Sequence, residues 1–235
     1  MAANSIPPSP NTAPAPPASD ARERVLRELR GWLWVILAFL FIQGTLVQAR
    51  VIPSESMVKT LLIGDHVLVS RFGYDAEVPF TGLHVSLWKE PHRQEVIVFH
   101  APLPAQGHPD YVKRIIGMPG DAVEIRGGAV WVNGKPLSEP YLSDTPDAWE
   151  NRGPYKVPPN SFFVMGDNRN NSFDSRYWGF VPRSAIVGTP LFIYLSLDAP
   201  SEAWQPGHIR ERLSAYAMAL LHPGHVRWRR LFVPF

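Results

Sequence analysis

Hydrophobic and polar positions follow three successive rhythms along this chain. From Met1 to Asp20 ("MAANSIPPSPNTAPAPPASD") no apolar period forms, and Pro, Ala and Ser dominate. A disordered tail over residues 1–20 is expected. Asp20 followed by Glu23 resembles a capping box and opens a helix. The run "GWLWVILAFLFIQGTLVQA" then carries no charge and has no polar face over its nineteen residues to Ala49. About twenty such residues cross a hydrocarbon core of roughly 30 Å. Beyond Arg50 the pattern shortens to "DHVLVSRF", "EVIVFHA", "YVKRIIG", "AVEIR", "AVWVNG", "SFFVMG" and "AIVGTPLFIYLS". These segments are rich in Val, Ile, Phe and Tyr and separated by turn residues, which predicts a β-dominated domain.

The three rhythms divide the chain into a tail (1–20), an anchor helix with a basic flank (21–49), a β domain (50–200) and a C-terminal segment (201–235). A buried core helix or a cleaved signal peptide would be the other readings of the apolar run. A core helix rarely lacks a polar face for so long, and a signal peptide has a shorter apolar core with a small-residue cleavage site. Trp32 and Trp34 suit a membrane interface. Arg22, Arg24, Arg27 and Arg30 precede the run and only Arg50 closely follows it. This bias predicts a cytoplasmic amino terminus, a single crossing and an extracytoplasmic remainder. "VEIRGGAVWV" predicts a hairpin turning at Gly127-Gly128. "PYLSDTPDAWENRGPYKVPPN" predicts a long Pro-rich loop near 138–160. The last segment predicts a short helix and a basic-aromatic end, suited to packing or to a membrane surface.

Composition removes several kinds of chemistry. Net charge is +2 with no Lys/Arg stripe, so no nucleic-acid partner is expected. Cysteine is absent, which excludes disulfides, thiolate metal sites and a Cys nucleophile. His66, His84, His92, His100 and His108 are scattered without an HExxH spacing, so neither a metal site nor any other cofactor is expected. G-x-S-x-G is missing as well, which weighs against a serine nucleophile with a His base.

A serine with a lysine base remains. Only five of the 23 Lys and Arg residues are Lys, and two of them stand in suggestive places. Ser56-Met57-Val58-Lys59 fits S-x-x-K, a spacing that shares one face of a helix. Its usual S-D-N and K-T-G companions are missing. Lys113 lies in "DYVKRIIGMPGD" between apolar neighbours, where burial would lower its pKa and let it act as a base. A strand lysine whose head reaches water explains the same stretch equally well. "GDNRNNSFDSRYWGFVP" then crowds Asp167, Asn168, Arg169, Asn170, Asn171, Ser172, Asp174, Ser175 and Arg176 behind an apolar strand. A solvated turn does not account for so many side chains able to orient one another.

These stretches together resemble the type I signal peptidases, membrane-anchored Ser-Lys endopeptidases that remove leader peptides from exported proteins. "IPSESM" is similar to the family's nucleophile box, "YVKRIIGMPGD" to its lysine box and "GDNRNNSFDSRYWGFVP" to its last box. "PRSAIVGTPLFIY" and "HVRWRRLF" continue the likeness. The resemblance implies an extracytoplasmic antiparallel β-sheet catalytic domain with a smaller inserted β region. It implies that Ser56 is the nucleophile and Lys113 the general base, and that Ser54 joins the Ser56 N–H in the oxyanion hole. Ser172 would hydrogen-bond and orient the lysine, with Asp174 and Arg176 supporting that loop. No cofactor is required, and a monomer acting on preprotein signal peptides at the bilayer is expected. Cleavage would follow Ala-x-Ala. Ile52, Pro53, Met57, Leu61, Tyr111 and Val112 would surround the residue before the cut, and Ile52, Val98 and Val112 the one two before it.

The chain departs from the family pattern at Lys59-Thr60-Leu61 (usually Pro-Thr-Leu), at Arg93-Gln94-Glu95 (usually Arg-Gly-Asp) and at Asn170 (usually Asp). Two rivals have different signatures. A catalytically silent tethered β domain that binds exported chains would not be acylated by serine-reactive agents. A self-cleaving repressor would carry a DNA-binding helical module where the apolar run stands.

Overall fold

The structure, a computed structural model, describes residues 18–78, 83–86, 90–101, 110–142 and 144–233; residues 18–21, 41–45, 75–78 and 83–86 are described by their backbone alone. The tail expected over 1–20 lies outside these residues up to residue 17, as does His108. The chain divides between Phe41 and Ile42 into two compact units.

The first helix, α1, runs over Ala18–Thr45. Its apolar side chains from Val25 to Leu40, Trp32 and Trp34 among them, are exposed. Among the described residues no helix is long and apolar enough to cross a membrane. The sequence pattern carries the helix to Ala49, but it stops four residues earlier. Gly44 and Thr45 are weak helix formers. Val47–Val51 instead becomes β1 and pairs with β2 (Asp65–Ser70), from Val47 opposite Ser70 to Val51 opposite His66.

The remaining strands are β3 (Asp75–Val78), β4 (Leu83–Ser86), β5 (Val96–His100), β6 (Asp110–Gly117), β7 (Ala122–Arg126), β8 (Ala129–Val132), β9 (Lys135–Pro136), β10 (Arg152–Lys156), β11 (Ser161–Met165), β12 (Val181–Pro182) and β13 (Ile186–Ser196). The main sheet has the order β1-β2-β13-β5-β6-β11-β12. A smaller sheet, β10-β7-β8-β9, is inserted between β6 and β11, and β3 and β4 form a separate pair. Every pairing is antiparallel. The mainly β architecture with its smaller inserted region therefore agrees with the sequence pattern.

Burial on both faces explains why β5 reads as an unbroken apolar run. Val96 and Val98 pack with Ile52, Met57, Leu61 and Val67, while Ile97 and Phe99 pack with Ile115, Phe162 and Val164 on the other side. A third cluster of Ile116, Val123, Ile125, Phe163 and Met165 joins the small sheet to the main one. The expected hairpin forms with Arg126 opposite Ala129, and Gly127 and Gly128 take φ of 56° and 78°. Such angles are freely open only to glycine. The long loop near 138–160 is not continuous, because 152–156 pair with β7 as β10.

The C-terminal segment contains a helix over Ile209–Leu221, and the basic end is packed in part. Arg230 donates to Asp65 Oδ2 at 2.7 Å and to the Thr60 carbonyl at 2.8 Å. Arg227 donates to the carbonyls of Ile63 and Leu197. Both arginines thus tie the chain end to the segment that follows Ser56.

Candidate active site

Ser56 and Lys113 line one cavity of about 270 Å³ although 57 positions separate them. Ser56 sits in a turn that opens immediately after β1, so Ser56 and Lys59 do not share a helix face. Lys59 is exposed and is not among the cavity's described lining residues, which removes the geometric support for the S-x-x-K reading. No histidine is among those residues either. His66 is buried away from them, bonded through Nε2 to the Tyr216 hydroxyl at 2.7 Å and through Nδ1 to the Gly64 carbonyl at 3.0 Å.

Lys113 arrives on β6, opposite Ile97 of β5. Successive strand residues face opposite ways. Lys113 therefore shares a face with Tyr111 and Ile115, while Arg114 shares the other with Val112 and Ile116. Only 4% of Lys113 is exposed. Burial is the main influence on its amine, opposed by Asp174 and Asp167 and helped by Arg176, and together they lower the pKa to about 8. An amine in this range is neutral in part near neutral pH, as a general base requires.

The Ser54 and Ser56 hydroxyls lie 3.4 Å apart. The Ser56 N–H has no acceptor among the described residues. The Ser56 backbone is held from the far side, since Asn168 N–H donates to the Ser56 carbonyl at 3.1 Å and the Asn168 side chain to the Glu55 carbonyl at 3.3 Å. Gly166 makes this approach possible. A Cβ there would lie 2.5 Å from the Ser56 carbonyl oxygen and 2.3 Å from Ser172 Oγ.

Asp174 is fully buried and organises the loop behind Lys113. Its carboxylate accepts from Ser172 Oγ at 2.7 Å, from Gly166 N–H at 3.0 Å and from Arg176 Nε at 2.8 Å. Ser172 was expected to bond the lysine. Among the described residues no hydrogen bond joins Lys113 to Ser172 or to Ser56. The Ser172 proton goes instead to Asp174, a charged acceptor two residues away, and charge-assisted bonds are the stronger ones.

Sequence reasoning left a second set of residues without roles. Arg114 pairs with Asp167 through Nε at 2.8 Å and through a terminal nitrogen at 2.6 Å. Thr60 Oγ1 donates to the same carboxylate at 2.5 Å and so ties the end of the turn that holds Ser56 to the segment after β11. Both were visible as motif neighbours, Arg114 beside the lysine and Asp167 beside Gly166. Asp110, Asn171, Phe173 and Gln205 also line the cavity. Gln205 comes from the C-terminal segment and had no motif to mark it.

Two of the three departures from the family pattern, Gln94 and Asn170, find local explanations. Gln94 adopts a φ of 67°, the left-handed region that glycine occupies most easily. Its carbonyl accepts from Arg114 at 2.7 Å, so the turn keeps its shape without glycine. Asn170 accepts from Asp147 N–H and donates to the Thr145 carbonyl, both at 3.1 Å, and an aspartate could not make the second bond.

Of the seven expected substrate-contact residues, Ile52, Pro53, Met57, Tyr111 and Val112 line the cavity. Leu61 and Val98 are not among its described lining residues. They are 0% and 1% exposed and pack behind the wall against Ile52 and Met57. On its other side β6 is paired with β11 only from Arg114 onward, because β11 ends at Met165. Among the described residues, the edge of residues 110–113 toward the cavity therefore has no strand neighbour in the main sheet.

A sequence model of the family described as "Signal peptidase, peptidase S26" matches residues 26–195. A signal peptidase I of Leptolyngbya laminosa is 39% identical over 217 residues, covering 88% of this chain and 98% of its own length. The Synechocystis protein named "Probable signal peptidase I-2" is 44% identical over 157 residues, 66% of this chain and 65% of that one. A solved signal peptidase I of Enterococcus faecalis aligns with 43% of this chain and 97% of its own, at 33% identity and a TM-score of 0.38.

Proposed function

This chain belongs to the signal peptidase family, peptidase S26, and is a serine endopeptidase; from that premise we propose that it removes signal peptides from exported preproteins with Ser56 as nucleophile and Lys113 as general base. The observation that carries this reading is the buried Lys113, its pKa lowered to about 8, in the cavity that also holds Ser56.

Neutral Lys113 takes the Ser56 proton as Oγ attacks the scissile carbonyl carbon. Negative charge develops on the carbonyl oxygen, where the Ser56 N–H and the Ser54 hydroxyl donate to it. Lys113 then returns the proton to the leaving nitrogen, the peptide bond breaks, and an ester joins Ser56 to the signal-peptide fragment. Water, activated by the same amine, hydrolyses the ester. This is the serine-triad logic with lysine as base. The Lys113 and Ser56 atoms close to hydrogen-bond distance once substrate is bound, as catalytic bonds commonly do. Asp174 acts through Ser172 and Arg176 by fixing the wall beside the lysine.

The substrate lies extended along the edge of residues 110–113 and adds a strand there. Alternate side chains enter the protein, and Ile52, Pro53, Met57, Tyr111 and Val112 leave room for small ones. The expected preference is Ala, Gly or Ser at the residue before the cut and at the one two before it. Leu61 and Val98 limit the depth of this space from behind. Replacing each Ala of a model preprotein by Gly, Leu and Asp should give the order Ala, Gly, Leu, Asp in cleavage rate. An unpartnered buried charge carries the largest penalty. Ser56→Ala serves as the blank. Equal rates across the series would sink the small-residue specificity, and no cleavage of any member would sink the function.

Supported by the exposed apolar side chains of α1 and by Arg22, Arg24, Arg27 and Arg30 before the uncharged run, α1 holds the protein in the cell membrane, amino terminus cytoplasmic and β domain outside. A protease added to the outer face of the membrane should then digest the chain beyond about Arg50. Full protection of the β domain would reverse this topology.

A further inference from the structure

We propose that Glu139, in the loop between β9 and β10, is a positioning residue for the cleavage reaction: its carboxylate braces both flanks of the turn that holds the Ser56 backbone. The proposal rests on the reading of Ser56 as nucleophile. On one flank Glu139 forms a two-pronged ion pair with Arg169, one arm at 3.0 Å. The two side chains are only 6% and 2% exposed. Arg169 Nε in turn donates to the Gly166 carbonyl at 3.1 Å. On the other flank the Tyr141 hydroxyl donates to Glu139 Oε1 at 2.9 Å, and the Arg114 guanidinium lies over the Tyr141 ring at 4.0 Å. Arg114 grips Asp167, which receives Thr60.

Gly166, Asp167, Asn168 and Arg169 are thus fixed at both ends by one carboxylate. Between those ends, Asn168 N–H holds the Ser56 carbonyl, and Gly166 N–H holds Asp174. Glu139 lines none of the described cavity and touches neither Ser56 nor Lys113. It acts through geometry, and a remote shift of about 1 Å can lower a rate by roughly 10²-fold.

The test uses the full chain in detergent, a model preprotein, and active-site counting with a serine-reactive acylating agent, so that rates refer to folded sites. For Glu139→Gln, kcat per active site should fall about 10- to 100-fold. KM should stay near the wild-type value, because the substrate-lining residues are untouched. The alkaline rise of the rate should move to higher pH as the loosened turn admits water beside Lys113, whose charged neighbours are Asp174, Arg176 and Asp167. Glu139→Asp should recover part of kcat. The double variant Glu139→Gln, Arg169→Gln leaves no unpaired charge but still lacks the bond to the Gly166 carbonyl, so it should stay slow. Tyr141→Phe removes a single bond of Glu139 and should lower kcat several-fold if the carboxylate variants do not fold. Unchanged kcat and pH profile with only a lower unfolding midpoint would overturn the proposal, as would full recovery in the double variant or a wild-type kcat in Tyr141→Phe. If wild type itself does not cleave, the proposed function falls, and this proposal with it.

Discussion

Lys113→Met should abolish peptide cleavage while making the folded domain more stable at neutral pH. The loss follows from chemistry, since a thioether cannot take the Ser56 proton and a positioned general base contributes about 10²–10⁴ in rate. The stability gain follows from linkage. Burial lowers the folded-state pKa from 10.5 to about 8, so the folded state resists a proton that the unfolded chain accepts. Below pH 8 both states carry the proton and the cost is complete, roughly 3 kcal/mol at about 1.4 kcal/mol per pKa unit. Between pH 8 and 10.5 the unfolded state binds more protons than the folded one, so wild-type stability rises through that window and the difference from Lys113→Met closes. Methionine fills a similar volume without charge. Urea unfolding at pH 7 and at pH 10 measures both terms. The wild-type rate should rise with pH and reach half its plateau near 8, and Lys59→Ala should retain that profile. A variant no more stable than wild type at pH 7 would place the amine in water, and a Lys113→Met enzyme that still cleaves would move the base elsewhere.

Gly166→Ala should lower kcat by about 10²-fold with the fold retained. The new methyl would lie 2.3 Å from Ser172 Oγ and 2.5 Å from the Ser56 carbonyl. The first contact can be relieved by turning a side chain, but the second cannot, because that oxygen belongs to the backbone of Ser56 itself. Overpacking of this kind costs about 1–3 kcal/mol of stability. The larger effect is displacement of Ser56 relative to Lys113. Adding Ser172→Ala removes the hydroxyl contact but leaves Ser172 Cβ at 2.6 Å and the Ser56 carbonyl in place, and kcat should not recover. A Gly166→Ala enzyme at wild-type speed would show that the close approach is dispensable, and recovery in the double variant would assign the cost to Ser172.

How much of this was legible in the sequence depends on the distance over which each feature is decided. The β class was legible because "VIVFH" and "AVEIR" express their pairing and burial locally, and the hairpin because Gly127-Gly128 prescribes its own turn. The end of α1 was misplaced because uncharged Val47, Gln48 and Ala49 suit the end of a helix as well as a strand, and the choice is made by pairing with β2. That Ser56 and Lys113 share one cavity was legible through their boxes. The partner of Ser172 was not, since spacing brings a hydroxyl near the lysine without deciding which acceptor takes its proton. Leu61 and Val98 have the right chemistry for a pocket wall, yet sequence carries no measure of depth, and they lie one layer behind it. Glu139 and Gln205 stand in loops without a motif, where only the folded chain reveals what they face.

The alternation on β6 has a consequence for how this enzyme can fail. One strand turns a titrating amine toward the cavity and, one position later, a permanent cation toward Asp167. The alignment of Ile97 with Lys113 is what separates them. A slip of one residue would exchange the two faces, placing Arg114 or Val112 where the Lys113 amine belongs and Lys113 against the ion-pair network. Arginine does not release its proton in this pH range, so the slipped molecule could remain folded yet be chemically inert. For this protein the count of folded molecules and the count of working ones are separate quantities, and the difference is set by a single step of strand alignment.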